Sequence, residues 1–285
     1  MCPLCENIPM EVKNMKNPDF LKVENYFDFE KHPFEHKSLF FQENVDGIVD
    51  VLNHIGNYCN KWLDKLQIAK CKLQNANFAP DKVIGEETGN SVFVEEGAKI
   101  VGGVFDLSNG SVFIGKEADV QGAWICGPVI IGEKTVVRPG AYVRENVILG
   151  SEVIVRGELK NTVIMDKSDF PHPSYLGDSI CGYKTHFGNQ ATAANVNIFG
   201  GKENIKIKVD DEKIDLGRRK VGIIIGDYCQ VGCNSVSDPG TFLFPRTIVY
   251  SLSRIKAGVY GPNEILKNKP LEHGVIERVK LEIGN

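Results

Sequence analysis

Between Ile131 and Lys160 an aliphatic side chain returns every sixth residue without a slip, at Ile131, Val137, Val143, Leu149 and Val155. Four residues after each stands a second small or aliphatic side chain, at Thr135, Ala141, Val147, Val153 and Leu159. A single hexapeptide cannot bury its apolar side alone, whereas stacked copies cover one another, so this period demands a parallel β-helix. The register returns at Ile225, Val231, Ser237, Leu243, Val249 and Ile255, partnered by Cys229, Ser235, Thr241, Thr247, Ser253 and Val259. Weaker copies are Val94 with Ala98, Ile114 with Ala118, Val120 with Trp124, Cys181 with Thr185 and Phe187 with Ala191. Two long runs in one phase leave little room for antiparallel strands at a coincidental spacing. The expected fold is therefore mainly β. A helical and irregular capping segment occupies 1–89, a β-helix 90–261 with insertions at 165–175 and 196–221, and a tail 262–285.

Composition narrows the function classes. With 285 residues, 42% of them hydrophobic, the chain can hold a full core. Its apolar runs fall short of the roughly 18 residues of a membrane span. The opening MCPLCENIPMEVKN has no apolar stretch for a signal peptide, so a cytoplasmic, non-membrane protein is expected. A net charge of −4 argues against a dedicated nucleic-acid partner. Of the eight cysteines, Cys2 and Cys5 form a CxxC with no second CxxC to complete four zinc ligands. Cys181 and Cys229 fall on inward positions, where a reduced thiol packs as a small hydrophobe. No metal is expected.

Residues 18–43 are Phe-rich and interrupted by Pro33, which reads as short pieces docking aromatics on a neighbour. Ile48, Val51, Leu52, Ile55, Cys59, Trp62, Leu63 and Leu66 then fall at helical spacing, with Asn44 or Asp46 as N-cap. Such a stripe needs a surface, either the first coil or another subunit. His54, within this helix, reads as packed or solvated.

Interruptions in a solenoid are where sites are grafted. In 165–179, two prolines bracket His172 and hold it in extended backbone. In 196–221, the alternation Ile205, Ile207, Val209 followed by DDEK predicts a hairpin running into Arg218, Arg219 and Lys220. A histidine can take the proton that an amine must lose when it attacks a thioester, worth about 10²- to 10⁴-fold in rate. The basic run can clamp an anion. Arg138 and Arg156, one coil apart, should lie on one face about 4.8 Å from each other. They can share an anion, splay into solvent, or pair with Glu152 and Glu158.

The segment HPSYLGDSICGYKTHFGNQATAANV, preceded by GELKNTVI and followed by GRRKVGIIIGDYCQVG, resembles the acetyltransferase half of the bifunctional sugar-1-phosphate nucleotidylyltransferase/acetyltransferases. The likeness runs from about 130 to 240, and its most specific piece is H-x-x-Y-L-G-D at 172–178. It implies a left-handed parallel β-helix that trimerises, with acetyl-CoA and an amino sugar meeting between subunits. The left hand comes from the resemblance alone, since crossovers between parallel strands are otherwise right-handed. It implies His172 as the general base, Arg138 and Lys160 as the phosphate pair, and Tyr175 and Asn195 at the sugar. Lys220 would close over the substrate from a neighbouring subunit. His186 stands where the family has a sugar-site asparagine, and Cys233 where it has a serine near the thioester; with Ser251 the latter would face acetyl-CoA. Nothing before residue 90 has the nucleotidylyltransferase's Gly-rich loop.

Three functions follow. One is an acetyl-CoA-dependent N-acyltransferase acting on an amino-sugar phosphate or a nucleotide-linked amino sugar, as a homotrimer. Another is a non-catalytic sugar-nucleotide-binding or regulatory trimer. The third, a β-helix zinc hydrolase, needs three convergent histidines, and only His172 and His186 lie in the repeats.

Overall fold

A computed structural model describes residues 19–68, 78–198, 202–210, 212–268 and 276–280. The architecture is the expected parallel β-helix, mainly β with one α-helix near the N-terminus. Each coil carries a short strand on each of three faces. The first face holds Val92–Val94, Val112–Ile114, Val129–Ile131, Val147–Leu149, Ile223–Ile225, Thr241–Leu243 and Gly258–Tyr260. The second holds strands from Phe78–Ala79 through His186–Phe187 to Glu264–Asn268. The third runs from Lys82–Ile84 through Tyr142–Val143 to Arg254–Ile255. Two longer strands, Glu158–Ile164 and Tyr175–Cys181, turn the corner from the third face onto the first.

The two ladders supply the interior. Ile131, Val137, Val143, Leu149 and Val155 are fully buried and pack in one core with Val231, Leu243, Val249 and Ile255. Corners are turned by residues at positive φ, such as Lys134, Glu152, Lys167 and Lys184 between first and second faces and Asn146, Asn161 and Asp178 between third and first. Asn and Asp tolerate this region better than most side chains.

Register departs from expectation at two places. Trp124 points outward and is 46% exposed, because Ala123 and Ile125 take the inward positions. Val259 also faces out, onto the first face, where it packs against the outer cluster. Residues 165–175 are not an insertion. Asp169–Phe170 is an ordinary second-face strand, and the coil tightens from eighteen residues (Val137 to Val155) to fifteen (Val155 to Phe170), then seventeen (Asp169 to His186). The aromatic Phe170, fully inside, takes the place of the aliphatic that the hexapeptide pattern leads one to expect. A true insertion lies in 196–221, since Ile180 pairs with Ile224 across forty-four residues; within it Lys206–Val209 and Glu212–Asp215 form the antiparallel hairpin. The coils also outrun 90–261. Phe78–Ala79 already pairs in parallel with Ile100–Val101, and Glu264–Asn268 in the expected tail pairs in parallel with Ile248–Val249. Cys2, Cys5 and Cys71 lie outside the described residues.

The first face is apolar on its outside as well as its inside. Phe113, Ile130, Ile148, Val163, Ile180, Ile224 and Phe242 form a row along it, and residues 19–68 cover that row. The segment starts over the C-terminal coils, where Phe20 meets Phe242 edge-on at 5.3 Å and Tyr26 meets Phe244 at 5.0 Å. It ends over the N-terminal coils, with Trp62 against Phe113 at 4.9 Å. The helix, α1, spans Val51–Ile68 and crosses the middle coils rather than only the first. Gly56 permits its close approach, since a Cβ there would strike the Asn146 side chain. Neither Asn44 nor Asp46 caps it; the Asp50 carboxylate closes the preceding turn by accepting from the amides of Asp46 and Gly47 at 3.2 and 3.0 Å. No helix among the described residues is long and apolar enough to cross a membrane.

Candidate functional site

Strand pairing fixes which candidates can meet. Val137 pairs with Val155 and Val155 with Phe170, so Arg138, Arg156 and Pro171 stack along the edge between second and third faces. His172 lies one residue further on that edge. Phe187 pairs with Val231 and Val231 with Val249, which places Cys233 and Ser251 on the same edge in later coils. At about 4.8 Å per coil, Cys233 lies roughly 10 Å from His172 along the axis, and Ser251 one coil beyond.

The loop carrying His172 is braced at both ends. Arg138 Nη1 donates to the Pro171 carbonyl at 3.1 Å, and Ser174 Oγ donates to the Ala191 carbonyl of the next coil at 2.8 Å. His172 is half-exposed, and among the described residues its imidazole has no hydrogen-bond partner, which leaves both ring nitrogens to a ligand. Arg156 Nε donates to the Pro139 carbonyl at 3.2 Å. The two arginines thus each hold a separate backbone carbonyl. Glu158 and Glu152 pair instead with Arg144 at 3.1 Å and Lys167 at 3.6 Å.

Across the third face lies a second group. Lys160 is on the face, bound to Glu145 at 3.1 Å, and Glu145 is also 3.8 Å from Arg144. Arg138 and Lys160 thus stand apart, each with its own partner. Tyr175 is in register with Glu158, and Gly177 with Lys160. Residues two apart on a strand share a face, and a Cβ on Gly177 would collide with the Tyr175 hydroxyl, so the glycine is what lets the phenol lie back along the strand. There Tyr175 Oη accepts from Asn195 Nδ2 at 3.0 Å. Burial, and after it the Asp178 charge, raises the Tyr175 pKa above the ordinary tyrosine value, so the phenol stays protonated.

Asn195 and Tyr175 meet at the edge between third and first faces, and a carboxylate unassigned by the sequence reading sits beneath them. Asp178, only 4% exposed, accepts from Asn195 Nδ2 at 2.7 Å on one oxygen. Its other oxygen accepts from Asn161 Nδ2 at 2.9 Å and Arg218 Nη2 at 3.1 Å. Asn161 Nδ2 also donates to the Leu52 carbonyl, and Arg218 Nη1 to Asn53 Oδ1 at 2.7 Å, so α1 is tied into the same network. Arg218 therefore does not act with Arg219 and Lys220 as an anion clamp: a buried carboxylate needs a charged partner, and Arg218 is turned inward to supply it. Lys220 is exposed. The sequence signal for Asp178 was present in YLGD, where a short acidic side chain follows the glycine that seats the tyrosine.

His186 is not with these groups. It lies on the second face, in register with Asp169, with Nδ1 3.6 Å from the Asp169 carboxylate. Among the described residues no three His, Cys, Asp or Glu side chains converge as metal ligands would.

Residues 125–214 match the family model described as the GMPPB C-terminal domain. A bifunctional sugar-1-phosphate nucleotidylyltransferase/acetyltransferase of Sulfurisphaera tokodaii is 35% identical over 171 residues, covering 59% of this chain and 39% of that protein. The bifunctional protein GlmU of Methanocaldococcus jannaschii is 31% identical over 204 residues, covering 72% of this chain and 45% of that protein. The chain thus spans less than half the length of these relatives. Among solved structures, the polysialic acid O-acetyltransferase OatWY aligns with 73% of this chain and 92% of its own at 16% identity and a TM-score of 0.39, too distant for its geometry to be transferred. Over its β-helix the chain resembles the C-terminal, acetyltransferase half of the bifunctional sugar-1-phosphate nucleotidylyltransferase/acetyltransferases.

Proposed function

We propose that this chain is an acyl-CoA-dependent acyltransferase, using acetyl-CoA to acetylate the amine of an amino-sugar phosphate or nucleotide-linked amino sugar. The observation that carries the reading is His172, an imidazole with no partner among the described residues, on a loop locked by Arg138 and Ser174 and three residues from the Tyr175–Asn195 pair. In this reading His172 accepts the proton that the attacking amine loses, while Tyr175 and Asn195 hold the sugar. A base fixed in advance costs no reorganisation at the moment of reaction. Cys233 and Ser251, further along the edge that carries His172, offer a line for the acyl-CoA arm. Lys160, half-exposed on the third face, and Lys220 supply positive charge toward the phosphate. A homotrimer would let Lys220 and the later coils of one chain complete the site of its neighbour.

The test is a thiol-release assay with acetyl-CoA and other acyl-CoAs against a panel of amino-sugar phosphates and UDP-amino sugars. Acceptor-dependent thiol release supports the reading. Tight binding of a sugar nucleotide with no thiol release from any acyl-CoA would replace it with the non-catalytic binding trimer.

A further inference from the structure

The edge between third and first faces carries a fixed direction of hydrogen bonding. Asn195 Nδ2 has two N–H groups, and both are used: one donates to Asp178 and the other to Tyr175. Asp178 carries the negative charge paired with Arg218, and a carboxylate only accepts, so the Asn195 amide has one orientation open to it. Its Oδ1 is then the atom left for a ligand. Tyr175 Oη already accepts from Asn195, and among the described residues it has no acceptor for its own proton, so it is left to donate. The pair presents one acceptor beside one donor.

We infer that Asp178 is a positioning residue that sets this polarity, through Asn195 and Tyr175, for a ligand group that both donates and accepts, such as a sugar hydroxyl or amine. The inference rests on the sugar-site reading of Tyr175 and Asn195. Several contacts hold Asp178 in place. Its backbone sits at φ 47°, its carbonyl accepts from the Gly222 amide at 2.7 Å, and its carboxylate is gripped by Asn161 and Arg218. Because Asn161 and Arg218 also bind Leu52 and Asn53, the start of α1 and the insertion together fix the carboxylate. The N-terminal segment thus bears on the Tyr175–Asn195 corner through Asn161, Arg218 and Asp178.

Two variants separate positioning from mere support. In Asp178→Asn the new amide faces the Asn195 amide, donor against donor, and Asn195 must turn its oxygen inward. The Asp178→Asn, Asn195→Asp double variant keeps one carboxylate in the cluster but makes Tyr175 donate to it, which removes the donor offered to the ligand. Binding of glucosamine 1-phosphate and UDP-glucosamine would be followed by calorimetry, with thiol release in parallel. The single variant is expected to weaken acceptor binding about tenfold or more with kcat changed only a few fold, and to lower Tm because Arg218 loses its carboxylate. The double variant, whose carboxylate at position 195 takes the new amide and the Tyr175 hydroxyl while Arg218 keeps only a neutral acceptor at position 178, is expected to recover part of the Tm and none of the affinity. Unchanged affinity in the single variant, or affinity that returns with Tm in the double, overturns the inference. If wild type binds these acceptors but releases no thiol, the acyltransferase reading fails and the inference is still decided by affinity. If wild type binds neither acceptor, the inference falls.

Discussion

In the proposed reading Arg138 would do two things at once at the residue scale, its guanidinium offering positive charge to a phosphorylated acceptor while Nη1 holds the Pro171 carbonyl beside His172. Arg138→Ala is therefore expected to raise KM for a phosphorylated acceptor and also to lower kcat by about tenfold, since the base loses its brace. Lys160→Ala, whose ammonium meets Glu145 alone among the described residues, is expected to raise KM with kcat nearly unchanged. Steady-state kinetics of the two variants side by side would check the split. Wild-type values in both would move the anion site to Arg219 and Lys220. His172→Ala is expected to lower kcat by about 10²-fold or more while acceptor affinity stays within a few fold, because the imidazole acts mainly in the transition state. Equal losses of affinity and turnover in that variant would make His172 a binding residue instead of a base.

Among the elements, the N-terminal segment matters most, for it seals the outer apolar row of the first face. Phe242 is fully buried between that face and Phe20, and Phe242→Ala should cost about 3–5 kcal/mol by leaving a cavity where two aromatic rings met. Denaturant unfolding would measure the loss, and limited proteolysis would show whether residues 19–68 lift off first. The same layer carries an acid-sensitive group. His36 is buried among Phe34, Tyr58 and Trp62, with Nδ1 3.1 Å from the Tyr58 hydroxyl, and burial pushes its pKa down from 6.5 to about 4. The folded protein holds this ring neutral while the unfolded chain protonates near 6.5. Its contribution to stability is complete above that pH and is lost as pH falls from about 6.5 to about 4, by about 3 kcal/mol in all. Tm measured across that window should fall less steeply in His36→Gln than in wild type; parallel curves would mean that the ring is not held neutral.

At the scale of the whole molecule, the first face is occupied by the chain's own residues 19–68, so the proposed trimer would have to form through the second and third faces. Trp124 and Tyr142 stand exposed on the third. Light scattering at micromolar concentration is expected to give three times the 31.6 kDa of one chain; a strict monomer would remove the neighbour that the proposed site requires. The coil itself was legible because its interior obeys a local rule: an inward residue recurs at fixed spacing whatever lies outside, and so Ile131 to Val155 and Ile225 to Ile255 could be read residue by residue. The rule fails where the period is not six: the coil through Asp169 and Phe170 shortens to fifteen residues, which in the sequence has the look of an insertion. By itself the sequence determined the β-helix, the helical stripe of α1, the hairpin in the insertion and the H-x-x-Y-L-G-D segment. Only the tertiary structure decided that α1 spans the middle coils, that Arg138 and Lys160 stand apart, that His186 lies on another face, and that Arg218 turns inward to Asp178. The physical reason is range. Outside the 196–221 insertion each coil pairs with neighbours fifteen to twenty-two residues away, whereas the Asp178 network adds positions 53 and 218 to the stacked 161, 178 and 195, and a buried carboxylate takes whichever donors the fold brings to it.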